Sequence, residues 1–171
     1  MPDDRLKYMA EPGVPDLQKL QAEGLYPTDD RIAAGPVAVF ECMQEIPCNP
    51  CEEACPRGCI RIGEDITGIP RLDPSCTGCG LCLPSCPGLC IFILDGSYSG
   101  TEATVTMPYE LLPLPEEGET VDALDRQGRE VCEGRVVRVR AIGTSELCRS
   151  LTVAIPKAFV HDVRHVRRQS D

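Results

Sequence analysis

Ten of the twelve cysteines in this chain lie between Glu41 and Ile93, and thiolates at short, regular spacing are the strongest chemical signal it carries. Cys76, Cys79, Cys82 and Cys86 form a C-x2-C-x2-C-x3-C run closed by Pro87. Two-residue gaps let successive sulfurs turn toward one centre, so three thiolates can cap three irons of a cubane. The fourth, set off by a longer gap and followed by proline, serves a second cluster. On this reading Cys76, Cys79 and Cys82 hold one [4Fe–4S] cluster and Cys55 completes it. The chemistry expected of such a set is transfer of single electrons.

The chain also repeats itself. Cys48, Cys51, Cys55-Pro56, Cys59, Ile60 and Ile62 recur thirty-one residues later as Cys79, Cys82, Cys86-Pro87, Cys90, Ile91 and Ile93, which points to two copies of one supersecondary unit. The first copy departs from the pattern: the position equivalent to Cys76 is Glu45, and the cysteine stands three residues earlier, at Cys42. A looped-out stretch from Met43 to Pro47 would return that sulfur, so the other cluster is expected on Cys42, Cys48, Cys51 and Cys86. The alternatives are Cys59 as substitute ligand, a three-iron cluster, or no first cluster.

Cys59 and Cys90 occupy matching places in the two copies and read as small buried residues packed beside the clusters. Cys132 and Cys148 have no C-x-x-C partner and read as core. Pro56 and Pro87 stop the short helices and carry no N–H. Gly78 and Gly80 either bring backbone N–H groups toward inorganic sulfide or satisfy turn geometry. His161 and His165 are expected to be exposed surface histidines. No Ser/His/Asp set, paired acid or phosphate loop appears, so no catalytic residue is assigned and the chain is expected to be non-catalytic on its own.

The elements that must position these thiolates are short. Asp16 to Gly24 reads as a capped helix in a polar N-terminal arm, residues 1–35. Pro36-Val37-Ala38-Val39-Phe40 reads as a strand leading into Cys42. In each copy a cysteine loop and short helix end at Cys-Pro, and a strand with alternate isoleucines follows. Beyond Gly100 the texture changes to β-branched runs at Thr101–Met107, Thr120–Leu124, Arg129–Val139 and Ser150–Ile155, with a hairpin turn at Asp125–Gly128. Phe159, Val163 and Val166 share one face of a terminal helix, with Arg164, Arg167 and Arg168 outside. The fold expected is therefore α+β: a bacterial-type dicluster ferredoxin core over 36–96, the arm before it, and a small β-rich domain over 97–171 ending in a short helix.

Composition sets further bounds. In 171 residues there are three Phe, four Tyr and no Trp, so an aromatic core is small and bound metal is expected to supply folding free energy. Net charge is −10, which disfavours nucleic acid as partner. The balance is uneven, with 9 basic and 24 acidic residues up to Gly134 against 8 and 3 after it; such polarity suits oriented docking. Met1-Pro2-Asp3-Asp4-Arg5 is charged and leads into no apolar segment, and no run of about 20 apolar residues spans a membrane. Cysteines at this spacing without an export signal favour metal over disulfides, and the expected compartment is the cytoplasm.

From Glu41-Cys42-Met43-Gln44-Glu45-Ile46-Pro47-Cys48-Asn49-Pro50-Cys51 onward the chain resembles the ferredoxin-like small subunits of multi-subunit FAD-dependent amino-acid and amine dehydrogenases, of the proline, hydroxyproline and sarcosine type. The resemblance runs from Gly35-Pro36-Val37-Ala38-Val39 through Val121-Asp122-Ala123-Leu124-Asp125 to the end. It implies a hetero-oligomer in which FAD on partner subunits oxidises a C–N substrate and electrons leave singly through two [4Fe–4S] clusters. It also implies Cys42 as a ligand of the first. Cys59 departs from the alanine such relatives often carry. Two other functions compete: a free-standing ferredoxin shuttle, which would need little beyond the cysteine-rich core, and a zinc-bound structural or interaction module, since zinc also takes C-x-x-C pairs.

Overall fold

β-Branched residues pack well on a pleated, half-buried surface, and they recur in every segment that builds the main sheet. In the computed structural model, which describes residues 7–11, 13–142 and 145–169, the strands are β1 (Met9–Glu11), β2 (Val14–Pro15), β3 (Val37–Phe40), β4 (Ile60–Arg61), β5 (Arg71–Leu72), β6 (Ile91–Asp95), β7 (Glu102–Tyr109), β8 (Thr120–Leu124), β9 (Glu130–Ile142), β10 (Ser145–Pro156) and β11 (His165–Arg168). The α-helices are α1 (Leu17–Ala22), α2 (Asp29–Ala33) and α3 (Pro50–Glu53). Seven strands make one antiparallel sheet in the order β11-β8-β9-β10-β7-β6-β3, while β1-β2 and β4-β5 are separate two-stranded ribbons.

This overturns the α+β ferredoxin-core expectation: the described chain is 36% strand and 13% helix. The cysteine loops supply only the four residues of α3 and a single 3-10 turn at Leu83–Ser85, because Pro56 and Pro87 follow Cys55 and Cys86 and forbid another helical turn. The strands flanking those loops, β3 and β6, pair with each other, and β6 pairs in turn with β7. Residues on either side of position 97 thus share one hydrogen-bonded sheet.

The short strand β3 is buried at all four positions, and alternation explains why. Successive side chains point to opposite faces of a strand. Val37 and Val39, with Phe92 and Leu94 of β6, join the main core beside Val105, Met107, Leu151 and Val153. Ala38 and Phe40, with Ile91 and Ile93, join a second apolar group around Cys51, Cys82, Ile60 and Leu83. One strand pair therefore divides the protein's core from the cysteine-rich side. A one-residue slip would exchange the two sets.

Among the described residues of the N-terminal arm, the polar sequence hides buried anchors. Asp16 caps α1 by accepting from the Lys19 N–H at 3.0 Å, and Tyr8, Leu20, Leu25, Tyr26 and Ile32 enter the main core. The arm thus lies on its own core.

The expected terminal helix is also corrected. A 3-10 turn at Lys157–Phe159 is followed by β11, which pairs with β8 from His165 opposite Leu124 to Arg168 opposite Val121. Valines three apart fit a helix or a turn leading into a strand, and β-branching disfavours the helix. The open edge of β8 supplies the ladder, and Arg167 and Arg168 hold it through Asp122 at 2.7 Å and Glu119 at 2.5 Å.

Candidate metal centre

Two recesses open on the cysteine-rich side of β3 and β6. The first is lined by Cys42, Cys48, Cys51 and Cys86, with Cys90 beside them and Phe40, Pro50 and Pro70 among the closing groups. The second is lined by Cys55, Cys76, Cys79 and Cys82, with Cys59 beside them and Ala38, Leu72 and Ile93 among the closing groups. Each recess gathers the four cysteines that spacing assigns to one cluster. Cys55 of the first copy stands in the second recess and Cys86 of the second copy in the first. Cys59 lines the second recess, so the first copy's displaced position at the first recess is met by Cys42.

Local structure fixes these sulfurs. β3 carries the chain into Cys42, and the Glu41 N–H extends the ladder by donating to the Cys90 carbonyl at 2.9 Å. The Cys48 N–H donates to the Ile66 carbonyl at 3.1 Å, which closes the loop before α3. Pro50 opens α3, where its missing N–H costs no helical bond, and Cys51 is buried within that helix. In the second recess, Gly78 adopts φ +62° and Gly80 φ +81°, the left-handed region that glycine enters freely. A Cβ on Gly78 would stand 2.6 Å from Pro36 Cβ. The Gly78 N–H points at Cys76 Sγ at 3.4 Å; Gly78 therefore meets the turn geometry expected of it, and the sulfur that its N–H reaches belongs to a cysteine. Arg31 of α2 clamps the loop from outside by donating to the Cys76 carbonyl at 2.6 Å and to the Gly35 carbonyl at 3.0 Å.

Electrostatics differ between the thiols. Burial pushes Cys51 up to about 11 and Cys82 up to about 12. Cys86 is drawn down to about 6, chiefly by the hydrogen bond from Cys90 and further by backbone N–H groups. Cys42 is lowered by the same Cys90 thiol, while Cys90 itself is raised by its hydrogen bonds to Cys42 and Cys86. At Cys55 burial works upward, but the N–H groups of Cys59, Arg57 and Ile60 outweigh it and the net shift is downward. Cys79 is the exposed member of the set. Among the described residues, no three His, Cys, Asp or Glu side chains converge closely enough to share a single metal ion.

A buried charge network next to Cys42 gave no signal in the sequence. Glu41 accepts from Arg164 Nε at 2.6 Å and from Arg126 Nη2 and Nε at 2.6 and 2.8 Å. Arg164 also donates to Tyr26 Oη at 2.9 Å and lies over the Phe92 ring. Burial raises the Glu41 pKa, yet the two guanidinium groups outweigh it and hold the carboxyl below its ordinary value. Arg164, expected on an outer helical face, is 5% exposed. The two histidines depart from expectation as well. His161 Nε2 lies 3.1 Å from Asp29 Oδ1, and His165 packs against Tyr109, with burial lowering its pKa. Cys148 is buried and Cys132 half-buried, in the β-rich part of the chain.

Comparison with protein-family models, with curated proteins and with solved structures finds no match to this chain. No helix among the described residues is long and apolar enough to cross a membrane.

Proposed function

We propose that this chain is an iron–sulfur electron-transfer subunit that carries single electrons between a flavin on a partner dehydrogenase subunit and an acceptor. The observation that carries the reading is the exchange of Cys55 and Cys86 between the two recesses. Interlocked four-thiolate sets of this kind suit a pair of [4Fe–4S] clusters, with Cys42, Cys48, Cys51 and Cys86 holding one and Cys55, Cys76, Cys79 and Cys82 the other. The donor set fits, being all cysteine and walled by apolar side chains. When bound, each cluster takes up and releases one electron at a time.

The chain's own residues hold and shield. Phe40, Ile91 and the prolines keep water from the first recess, and Ala38, Ile60 and Ile93 do the same for the second. Backbone N–H groups at Gly78 and Cys59 meet ligand sulfurs, where such contacts ease the gain of negative charge. Zinc also takes C-x-x-C pairs, but the exchange of Cys55 and Cys86 between the two recesses suits paired clusters better. The flavin partner rests on the resemblance at Glu41–Cys51, and the arm and β-rich tail give a docking subunit more surface than a free shuttle needs.

Anaerobic purification with iron and sulfide analysis tests the reading. About eight irons per chain, with visible absorption that bleaches on reduction, is the expected result; a colourless zinc protein would overturn it. Co-purification with FAD-containing subunits is expected of a dehydrogenase subunit, and recovery as a lone monomer from its native source would return the reading to a shuttle.

A further inference from the structure

Cys59 and Cys90 are equivalent in the repeat, each four residues after the cysteine of a Cys-Pro pair, yet their surroundings differ. Cys90 Sγ lies 3.4 Å from Cys86 Sγ, and Cys42 lines the same recess. Cys90 thus touches a sulfur that spacing assigns to the first cluster. Cys59 Sγ is engaged with Ser75 Oγ at 3.4 Å, and its backbone N–H reaches Cys55 Sγ at 3.2 Å. Five thiols therefore border a first recess whose cubane has four corners for ligands, and Cys90 is the one outside the set that spacing assigns, in contact with Cys86.

We propose that Cys90 is a positioning residue, not a ligand: its S–H donates to the coordinated sulfur of Cys86 and raises the reduction potential of the first cluster. The inference rests on the two-cluster reading. A thiol has one proton and is a weak donor, and Cys86 Sγ at 3.4 Å is the sulfur within its reach. A hydrogen bond to a ligand sulfur draws charge from it and makes the added electron easier to hold, one of the means by which a protein sets cluster potential. Cys90 is half-buried, and Ile91 and Pro87 line the same recess, which limits competition from water. Cys59 makes the comparison internal, because its thiol is shared with Ser75 at the other recess.

Wild-type protein and the Cys90→Ala, Cys90→Ser and Cys59→Ala variants, prepared anaerobically, would be assayed for iron and titrated potentiometrically with electron paramagnetic resonance detection of each cluster. The expected result is full iron in Cys90→Ala, with the first cluster's midpoint lowered and the second's unchanged. Cys90→Ser, which keeps a donor, returns toward wild type, and Cys59→Ala leaves the first cluster where it was. Loss of one cluster's iron in Cys90→Ala would make Cys90 a ligand and overturn the proposal, as would full iron with an unmoved midpoint. Wild-type protein without iron–sulfur clusters would instead overturn the reading beneath it.

Discussion

Arg164 Nε donates to Glu41 Oε1 at 2.6 Å, tying the residue that precedes the first cysteine to the segment that opens the last strand of the sheet. Arg126, in the turn between β8 and β9, meets the same carboxylate. Two buried cations on one anion leave a net positive charge one residue from Cys42, in a place with little water to screen it. The β-rich part of the chain thereby reaches into the cysteine-rich side through charge as well as through the β6–β7 ladder.

Glu41→Gln is expected to lower stability by about 3–5 kcal/mol, the usual cost of leaving a buried charge without its partner. Because the Glu41 pKa is lowered in the fold, its contribution is complete above the ordinary carboxylate pKa and is lost as pH falls through the lower folded value. Denaturant midpoints across the acid range should show that slope in the wild type and its absence in the variant.

Cys42→Ala is expected to remove about half of the bound iron, since a cubane that loses one thiolate is left open at one iron. Cys59→Ala should keep the full complement. The reverse pattern in iron analysis would move the ligand from Cys42 to Cys59.

Gly78→Ala should strain the second recess. The left-handed backbone costs a side chain about 1–2 kcal/mol, and the new Cβ would meet Pro36 at 2.6 Å. Thermal unfolding is expected to move down, and iron from the second cluster should be the first released to a chelator.

His165 predicts a second acid-side slope. Burial against Tyr109 lowers its pKa below the ordinary 6.5, so the unfolded chain takes up the proton first and stability falls as pH drops below that value. Melting temperatures at about pH 7.5 and about pH 5.5 should differ less in His165→Gln than in the wild type.

Local pattern was legible where the chemistry was local. Asp16 before Leu17, the strand before Cys42 and the turn at Asp125–Gly128 all follow from neighbours in the chain, and β8 falls on Thr120–Leu124 as its β-branched texture suggests. In the run after Pro156, Val163 and Val166 fit two periods, and only the free edge of β8 selects between them. Arg164 and Glu41 are 123 residues apart, and nothing in the residues around either one announces the other.

Thiolate spacing along a tight loop is a local property, so the sequence by itself determined the offset between the copies and the expected division of the cysteines into two interlocked sets, with Cys59 still open as an alternative to Cys42. Tertiary structure decided that β3 and β6 belong to a seven-stranded sheet rather than to a separate α+β core. It also decided that Cys90 stands against Cys86 while Cys59 turns to Ser75. Those outcomes depend on which strand edges and buried groups meet across long stretches of chain, and equivalent positions in a repeat carry no record of such distant partners.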